Sequence, residues 1–367
     1  MRAGADPPLR GIRAPGLAAV AVRWYPLTTM HMQAMDNTRR LDAGGLAERV
    51  LAGEPVTRAE AAAILRGSDD ELVALLLSAF RVRERHHGRR VKICLLRNAR
   101  SGLCPEDCHY CSQSAISDAA IPRYRLDSVT ELLAGARRAV ASGATRYCMV
   151  TSGRGPSRTD LERFTTVART IKQEFPHLEL CVSLGLLNEG QARDLKAAGI
   201  GWVNHNLNTS ERHHAAICTT HTYEDRVSTV RAVQRAGLHT CCGGIVGMGE
   251  ADEDVVDLAF ALRALRVDSL PVNFLHPIDG TPFEGRHDLT PGRCLRVLCL
   301  MRFTNPASEI RVAGGRELNL GWFQSLALYP ANSIFVDGYL TTPGQAAREA
   351  QRMIEEMGFE VEAVEMD

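Results

Sequence analysis

Between residues 91 and 336 the apolar positions fall into short runs separated by longer stretches of helical period. The runs are 91–96, 145–151 (TRYCMVT), 178–184 (LELCVSL), 202–208 (WVNHNLN), 239–246, 269–276 (SLPVNFLH), 309–313 (EIRVA) and 332–336 (NSIFV). Their length and composition predict strands. The stretches between them open with helix start signals. Ser128-Val-Thr-Glu131, Ser157-Arg-Thr-Asp160 and Thr222-Tyr-Glu-Asp225 have capping-box form, and Gly143, Gly199 and Gly237 stand where helices should end. Regular strand–helix alternation predicts a parallel sheet, and eight units over ~250 residues predict a (β/α)8 TIM-type barrel. Upstream, Thr57-Arg-Ala-Glu60 and Ser68-Asp-Asp-Glu71 introduce two more apolar runs, 61–65 and 72–80. The predicted division is a flexible extension (1–41), an N-terminal helical segment (42–84), the barrel (85–344) and a C-terminal helix with a short frayed end (345–367).

Composition changes this little. Hydrophobic residues make up 45% and charged residues 23% of 367, an ordinary globular mixture that excludes disorder, collagen or coiled coil as a global description. Lys+Arg and Asp+Glu both count 43, so the neutral total gives no pull toward a polyanion. No apolar run approaches the ~18 residues of a membrane helix. Neither nucleic acid nor membrane is therefore expected as a partner. Residues 1–35 differ from the rest, with Arg2, Arg10, Arg13 and Arg23 against the single acid Asp6. An Arg-rich, acid-poor start suits a transit peptide, which would imply a mitochondrial location. Pro7, Pro8 and Pro15 spoil an amphipathic helix there, which favours an upstream start codon with translation beginning near Met35, and a cytoplasmic location.

Eleven cysteines change the picture more. In a chain of this size they point to reduced thiols, some of them metal ligands, although a free cysteine often serves only as a small buried hydrophobe. Cys104-Pro-Glu-Asp-Cys108-His-Tyr-Cys111 is the sharpest group, just after the first predicted strand. Three thiolates within eight residues can converge on one point, which suits zinc or an iron–sulfur cluster. A structural zinc site wants four closed ligands, and no fourth local cysteine completes this one; His109 adjoins Cys108 awkwardly. Three cysteines on a cubane would leave one iron open. CxxxCxxC in this place resembles the radical S-adenosylmethionine superfamily, in which the open iron chelates S-adenosylmethionine and one electron releases a 5′-deoxyadenosyl radical.

Cys148, Cys181 and Cys241 each lie on a predicted strand, and a closed barrel would gather them around one interior. By the two-residue strand period Arg146 shares a face with Cys148, Arg311 points opposite to Ile310 and Val312, and Asn204, Asn206 and Asn208 share a face that His205 avoids. Plain packing and a satisfied polar core both remain open for these residues. Cys241 and Cys242 are adjacent, and periodicity does not say which faces inward. The following Gly243-Gly244-Ile-Val-Gly-Met-Gly249 lets a ligand or another chain segment approach the backbone, but it is not a GxGxxG phosphate loop.

From about residue 91 to 343 the chain resembles the biotin synthase family. The carriers are CPEDCHYCSQS (104–114), RYCMV (146–150), NHNLNTS (204–210), CCGGIVGMGE (241–250), PVNFLHPIDGTP (271–282), IRVAGGRE (310–317) and ANSIFVDGYLTTPG (331–344). The resemblance implies radical sulfur insertion into dethiobiotin by a sulfurtransferase. It implies a [4Fe–4S] cluster on Cys104, Cys108 and Cys111 and a [2Fe–2S] cluster on Cys148, Cys181, Cys241 and Arg311, with Arg146 supporting the second cluster from behind. Tyr110, Asn206, Asn208 and Ile245 match contacts to S-adenosylmethionine; Asn206 and Asn273 match contacts to substrate. Asn208 departs from one form of the pattern, where an Asp binds the ribose hydroxyls; its carbonyl oxygen can still accept, without charge. An arginine ligand is unusual because a guanidinium is normally protonated. No catalytic acid or base is required, since the cofactors carry the chemistry. The resemblance also implies a low-potential electron donor such as flavodoxin or ferredoxin, cluster assembly proteins and a homodimer. The alternatives are another radical enzyme of this barrel type, a maturase or mutase, or a zinc-binding structural protein. Cys94, Cys218, Cys242, Cys294 and Cys299 take no role, and His213, His214 and His221 read as a solvated loop.

Overall fold

In the computed structural model, which describes residues 41–363, ten strands form one parallel sheet. They are β1 (Arg90–Arg100), β2 (Arg146–Thr151), β3 (Glu179–Ser183), β4 (Trp202–Asn204), β5 (His239–Cys241), β6 (Gly244–Val246), β7 (Ser269–Phe274), β8 (Glu309–Val312), β9 (Ser333–Val336) and β10 (Glu360–Val361). Neighbours pair in the order β1-β2-β3-β4-β5-β7-β8-β9, and β9 pairs back onto β1, so eight strands close the predicted barrel. β6 continues the line of β5 against β7. The readings of residues 1–40, extension, transit peptide or early start, lie outside the described residues.

The helices are α1 (Ala43–Leu51), α2 (Arg58–Arg66), α3 (Leu72–His87), α4 (Val129–Ala141), α5 (Arg158–Glu174), α6 (Glu189–Ala197), α7 (Glu211–His214), α8 (Tyr223–Arg235), α9 (Asp252–Ala264), α10 (Pro291–Thr304), α11 (Arg316–Leu320) and α12 (Ala347–Glu356). The capping boxes form as read. Ser128 Oγ accepts from Glu131 N while Glu131 Oε2 accepts from Ser128 N at 2.7 Å, and Thr57, Ser157 and Thr222 do the same. Ser68 starts a 3-10 turn that leads into α3. α2 and α3 lie against α10, where Arg296 Nη1 donates to Ile64 O at 3.4 Å and Arg293 Nη1 to Leu65 O at 3.5 Å. Among the described residues no helix is long and apolar enough to cross a membrane.

Three local expectations change. The run 202–208 is a strand only as far as Asn204, because Asn208 adopts φ 70° and bends the chain back to bridge Gly244. The run 239–246 breaks at Cys242-Gly243, where Gly243 N donates to Asn206 Oδ1 at 3.0 Å and Asn208 N donates to Gly243 O at 3.1 Å. The tail does not fray within the described residues: β10 pairs with the start of β1. Phe359 anchors it, buried edge-on against Phe80 and Tyr329 with the Arg83 guanidinium 4.5 Å above its ring.

Gly243 makes the strand break possible, since a Cβ there would lie 1.9 Å from Pro271 O. G243A is expected to cost about 1–3 kcal/mol through overpacking, read as a lower midpoint of urea unfolding. An unchanged midpoint would mean that β7 yields to the methyl group.

Candidate functional site

After β1 the chain turns through Gly102 and Leu103, both with left-handed φ (68° and 57°), and lays residues 104–111 across one end of the barrel. The loop closes on itself. Cys111 N donates to Cys108 O at 3.1 Å, Ser114 N to Cys111 O at 3.1 Å, and Gly102 N to the Gln113 side-chain oxygen at 3.1 Å. Its other side is pinned to the segment after α7, where Asp107 accepts from the N–H groups of Thr219 (2.9 Å) and Thr220 (3.2 Å), and His109 N donates to Ile217 O at 2.9 Å. Cys104, Cys108 and Cys111 all line one cavity of about 280 Å³. Burial pushes the Cys111 thiol up to about 11 and raises Cys104 as well, so a cationic occupant is needed to favour their thiolates. Cys108 is raised because its S–H donates to Cys218 Sγ, 3.7 Å away, and the same bond draws Cys218 down to about 4.

The strand residues reach the same cavity. Cys148 stands directly opposite Cys181 in the β2–β3 ladder, Cys241 pairs with Asn204 on one side and Ser269 on the other, and Arg311 lies between Pro271 and Ser333. All three cysteines and Arg311 are buried and line it. The neighbouring Cys148 and Cys241 thiols push the Cys181 thiol well up. Cys181, with Arg311 and Arg146 nearby, holds the Cys241 thiol down to about 5. Arg311 Nη1 and Asn204 Nδ2 each donate to Cys241 Sγ at 3.4 Å. Cys242 turns away into the apolar core, which settles the adjacent pair.

Beneath these thiols lies a buried ion network. Arg146 Nη1 and Nη2 grip Glu309 at 2.9 and 3.0 Å, Arg146 Nε reaches Glu179 at 2.8 Å, and its guanidinium lies 3.7 Å over the Trp202 ring. Glu309 also accepts from Arg311 Nη2 and, at 3.0 Å, from Ser269 Oγ; Lys92 bonds Glu179 at 3.1 Å. Burial alone would raise the Glu309 carboxyl, but Arg146, Arg311 and Lys92 outweigh it and hold the group well below the ordinary carboxylate range. Arg311 Nε is taken by Ser333 Oγ at 3.0 Å and Nη2 by Glu309, so Nη1 is the nitrogen turned to the cysteines.

The polar wall follows the sequence reading in part. Asn206 Oδ1 accepts from Asn204 Nδ2 (3.1 Å) and Gly243 N (3.0 Å). Asn273 is tied to backbone on both sides, donating to Gly244 O (3.1 Å) and accepting from Gly314 N (2.9 Å). Ile245 and Tyr110 pack on a small apolar cluster of Ile217, Met248 and Leu275. Asn208 meets the Tyr110 hydroxyl, and with its oxygen turned inward accepts from Arg226 Nη1 and Nη2 at 3.1 and 3.2 Å. His205 lines the cavity with the asparagines, because the strand has ended before it.

Two features escaped the sequence reading. Arg226 is buried in the cavity wall, with Nη1 donating to Asn206 O at 2.9 Å and Nε without a partner. One signal was available: a cation near the N-terminus of a helix opposes the macrodipole. The second is the histidine run. His214 and His221 are buried, not solvated, and His221 Nδ1 bonds the Glu106 carboxylate beside Cys218. No pattern along the chain foretells that contact, which Asp107 creates across more than a hundred residues.

Against known proteins, the radical SAM superfamily profile matches residues 100–262, and the biotin and thiamin synthesis associated domain matches residues 271–360. The chain is 52% identical over 317 residues to a biotin synthase of Lysinibacillus sphaericus, covering 86% of this chain and 95% of that protein. It is 52% identical over 320 residues to a biotin synthase of Bacillus subtilis (strain 168), covering 87% and 95%. The crystal structure of methylornithine synthase superposes with a TM-score of 0.76 at 20% identity, covering 86% and 97% of the two chains, a likeness of fold.

The ion network makes a measurable demand. E309Q leaves two buried guanidinium groups short of a counter-charge and is expected to cost about 3–5 kcal/mol. E162Q, whose partner Arg158 is 92% exposed, should change stability by less than about 0.5 kcal/mol. Urea unfolding of both variants checks the contrast.

Proposed function

The chain belongs to the biotin synthase family, and from that premise we propose how its own residues divide the work of converting dethiobiotin to biotin. The enzyme is a radical S-adenosylmethionine sulfurtransferase that uses a [4Fe–4S] cluster, S-adenosylmethionine and a [2Fe–2S] cluster. The observation that carries the assignment is the arrival of two independent thiol sets, one from a loop and one from three strands, at a single cavity.

The residues present fit these groups. Thiols are the donors that iron–sulfur clusters take, and both sets need positive charge beside them to ionise. Arg226, in the cavity wall, offers a buried Nε with no partner, which an anionic ligand group would satisfy. Cys104, Cys108 and Cys111 would hold the [4Fe–4S] cluster; Cys148, Cys181, Cys241 and Arg311 would hold the [2Fe–2S] cluster. When bound, the first cluster with S-adenosylmethionine supplies a 5′-deoxyadenosyl radical by one-electron cleavage, and the second supplies sulfide.

The protein positions and shields. Arg226, Asn208 and Tyr110 form one hydrogen-bonded unit that receives polar groups of S-adenosylmethionine, and Ile245 with its apolar neighbours accepts the flat face of adenine. Asn206 and Asn273, already fixed by backbone partners, present what remains of their amides to substrate without reorganising. Arg146 acts through Glu309, which fixes Arg311 and the charge behind the cysteines. The closed wall of strands keeps water from reactive carbon centres. A low-potential one-electron donor such as flavodoxin or ferredoxin, cluster assembly proteins, a homodimeric state and a cytoplasmic location complete the proposal.

C148A is the deciding variant. Reconstituted anaerobically with dethiobiotin, S-adenosylmethionine and reductant, it is expected to yield methionine and 5′-deoxyadenosine at a reduced rate while biotin falls at least 100-fold. Chromatography of all three products checks this. Normal biotin formation by C148A would reject the strand cysteines as holders of the sulfur source. A wild-type chain that cleaves the cofactor and forms no biotin would reject the substrate assignment.

A further inference from the structure

Cys218 and His221 take no part in that scheme, yet they stand against one of its thiols. Cys108 Sγ lies 3.7 Å from Cys218 Sγ, and Cys218 Sγ lies alongside the His221 ring, 3.4 Å from Nδ1 and 3.6 Å from Nε2. The ligand atoms of the three residues all fall within 4.8 Å of one another, and all three side chains are buried. Two sulfurs on one tetrahedral zinc, at bonds of about 2.3 Å, stand about 3.8 Å apart, and a sulfur and an imidazole nitrogen about 3.6 Å apart. The spacing is that of ligands on one small ion. Ligands on separate irons of a cubane would stand wider.

The surroundings are built for the same purpose. Glu106 Oε2 bonds His221 Nδ1, which sets the tautomer and leaves the Nε2 lone pair free, the carboxylate–histidine arrangement found behind metal-bound imidazoles. Thr220 Oγ1 donates to Glu106 Oε2 at 2.7 Å, and Arg154 Nη1 donates to Glu106 at 3.2 Å, so the carboxylate is itself held. Asp107 clamps Thr219 and Thr220 and thereby fixes the backbone that carries Cys218.

We infer that Cys108, Cys218 and His221 form a binding site for a single thiophilic divalent cation, zinc above all, in the chain before its [4Fe–4S] cluster is installed. Binding sends to solvent whatever protons the two sulfurs still carry and involves no oxidation. Three protein ligands leave the fourth tetrahedral position to water. Because Cys108 serves both metals, zinc and the cluster exclude one another; this clause rests on the assignment of Cys108 to the cluster.

The test uses the full-length chain, stripped of iron under anaerobic conditions and titrated with zinc chloride against a chromophoric chelator. One tightly held zinc per chain is expected, and cobalt(II) in its place should give a thiolate-to-metal charge-transfer band. C218S should weaken zinc binding at least 100-fold, and E106Q, which takes the charge from the carboxylate behind His221, about 10–100-fold. Prior zinc should slow iron and sulfide uptake by the wild-type chain and leave uptake by C218S unaffected. Equal zinc affinity of wild type, C218S and E106Q, or a cobalt spectrum without the charge-transfer band, would overturn the inference. Zinc binding as described, in a chain that takes up no [4Fe–4S] cluster even without zinc, would sustain the three-residue site and remove Cys108 from the cluster.

Discussion

Everything at the centre of this barrel depends on compensating charge without water. Three thiol groups and an arginine share an interior where an isolated ion costs several kcal/mol, and apolar residues of similar volume would pack there more cheaply. The barrel instead carries Arg146, Arg311 and Lys92 matched by Glu309, Glu179 and Glu362, three cations against three carboxylates. Within that balance a cation faces the thiols, since Arg311 Nη1 reaches Cys241 Sγ. Glu309 is the pivot, since both arginines and Ser269 bind it. Its grip on Arg311 Nη2, with Ser333 on Nε, determines which nitrogen is presented upward.

The two thiol sets are held by different physics. Cys148, Cys181 and Cys241 inherit their positions from ladder hydrogen bonds between parallel strands, and their spacing can change only if the barrel changes. Cys104, Cys108 and Cys111 sit on a loop whose shape comes from side-chain oxygen atoms, Gln113 on one side and Asp107 on the other. A set on strands suits a group enclosed within the barrel wall. A set on a loop suits one that must accept a ligand and an electron from outside.

Much of this was legible along the chain. The strand period put Arg146 on one face with Cys148 and Arg311 opposite Ile310 and Val312, and capping boxes located helices where they form. Periodicity failed where a strand ended early. Asn208, with its left-handed backbone, and the break at Gly243 lie outside any regular repeat, so the strand period put His205 on the wrong face and left the Cys241–Cys242 pair undecided. It also failed where a contact spans distant loops. Cys218, His221 and Arg226 look like ordinary loop and helix residues until Asp107 and Tyr110 are brought to them.

The pairing of β1 with both β9 and β10 has a consequence for biosynthesis. The strand that carries the first cysteine loop is the earliest of the ten to leave the ribosome, and β2 follows it, yet its other two partners are the last. Until residues 333–361 have been translated the cylinder stays open along that seam. Enclosure of the thiols therefore waits for residues 333–361, and a chain that lacks them leaves the strand cysteines in an open sheet.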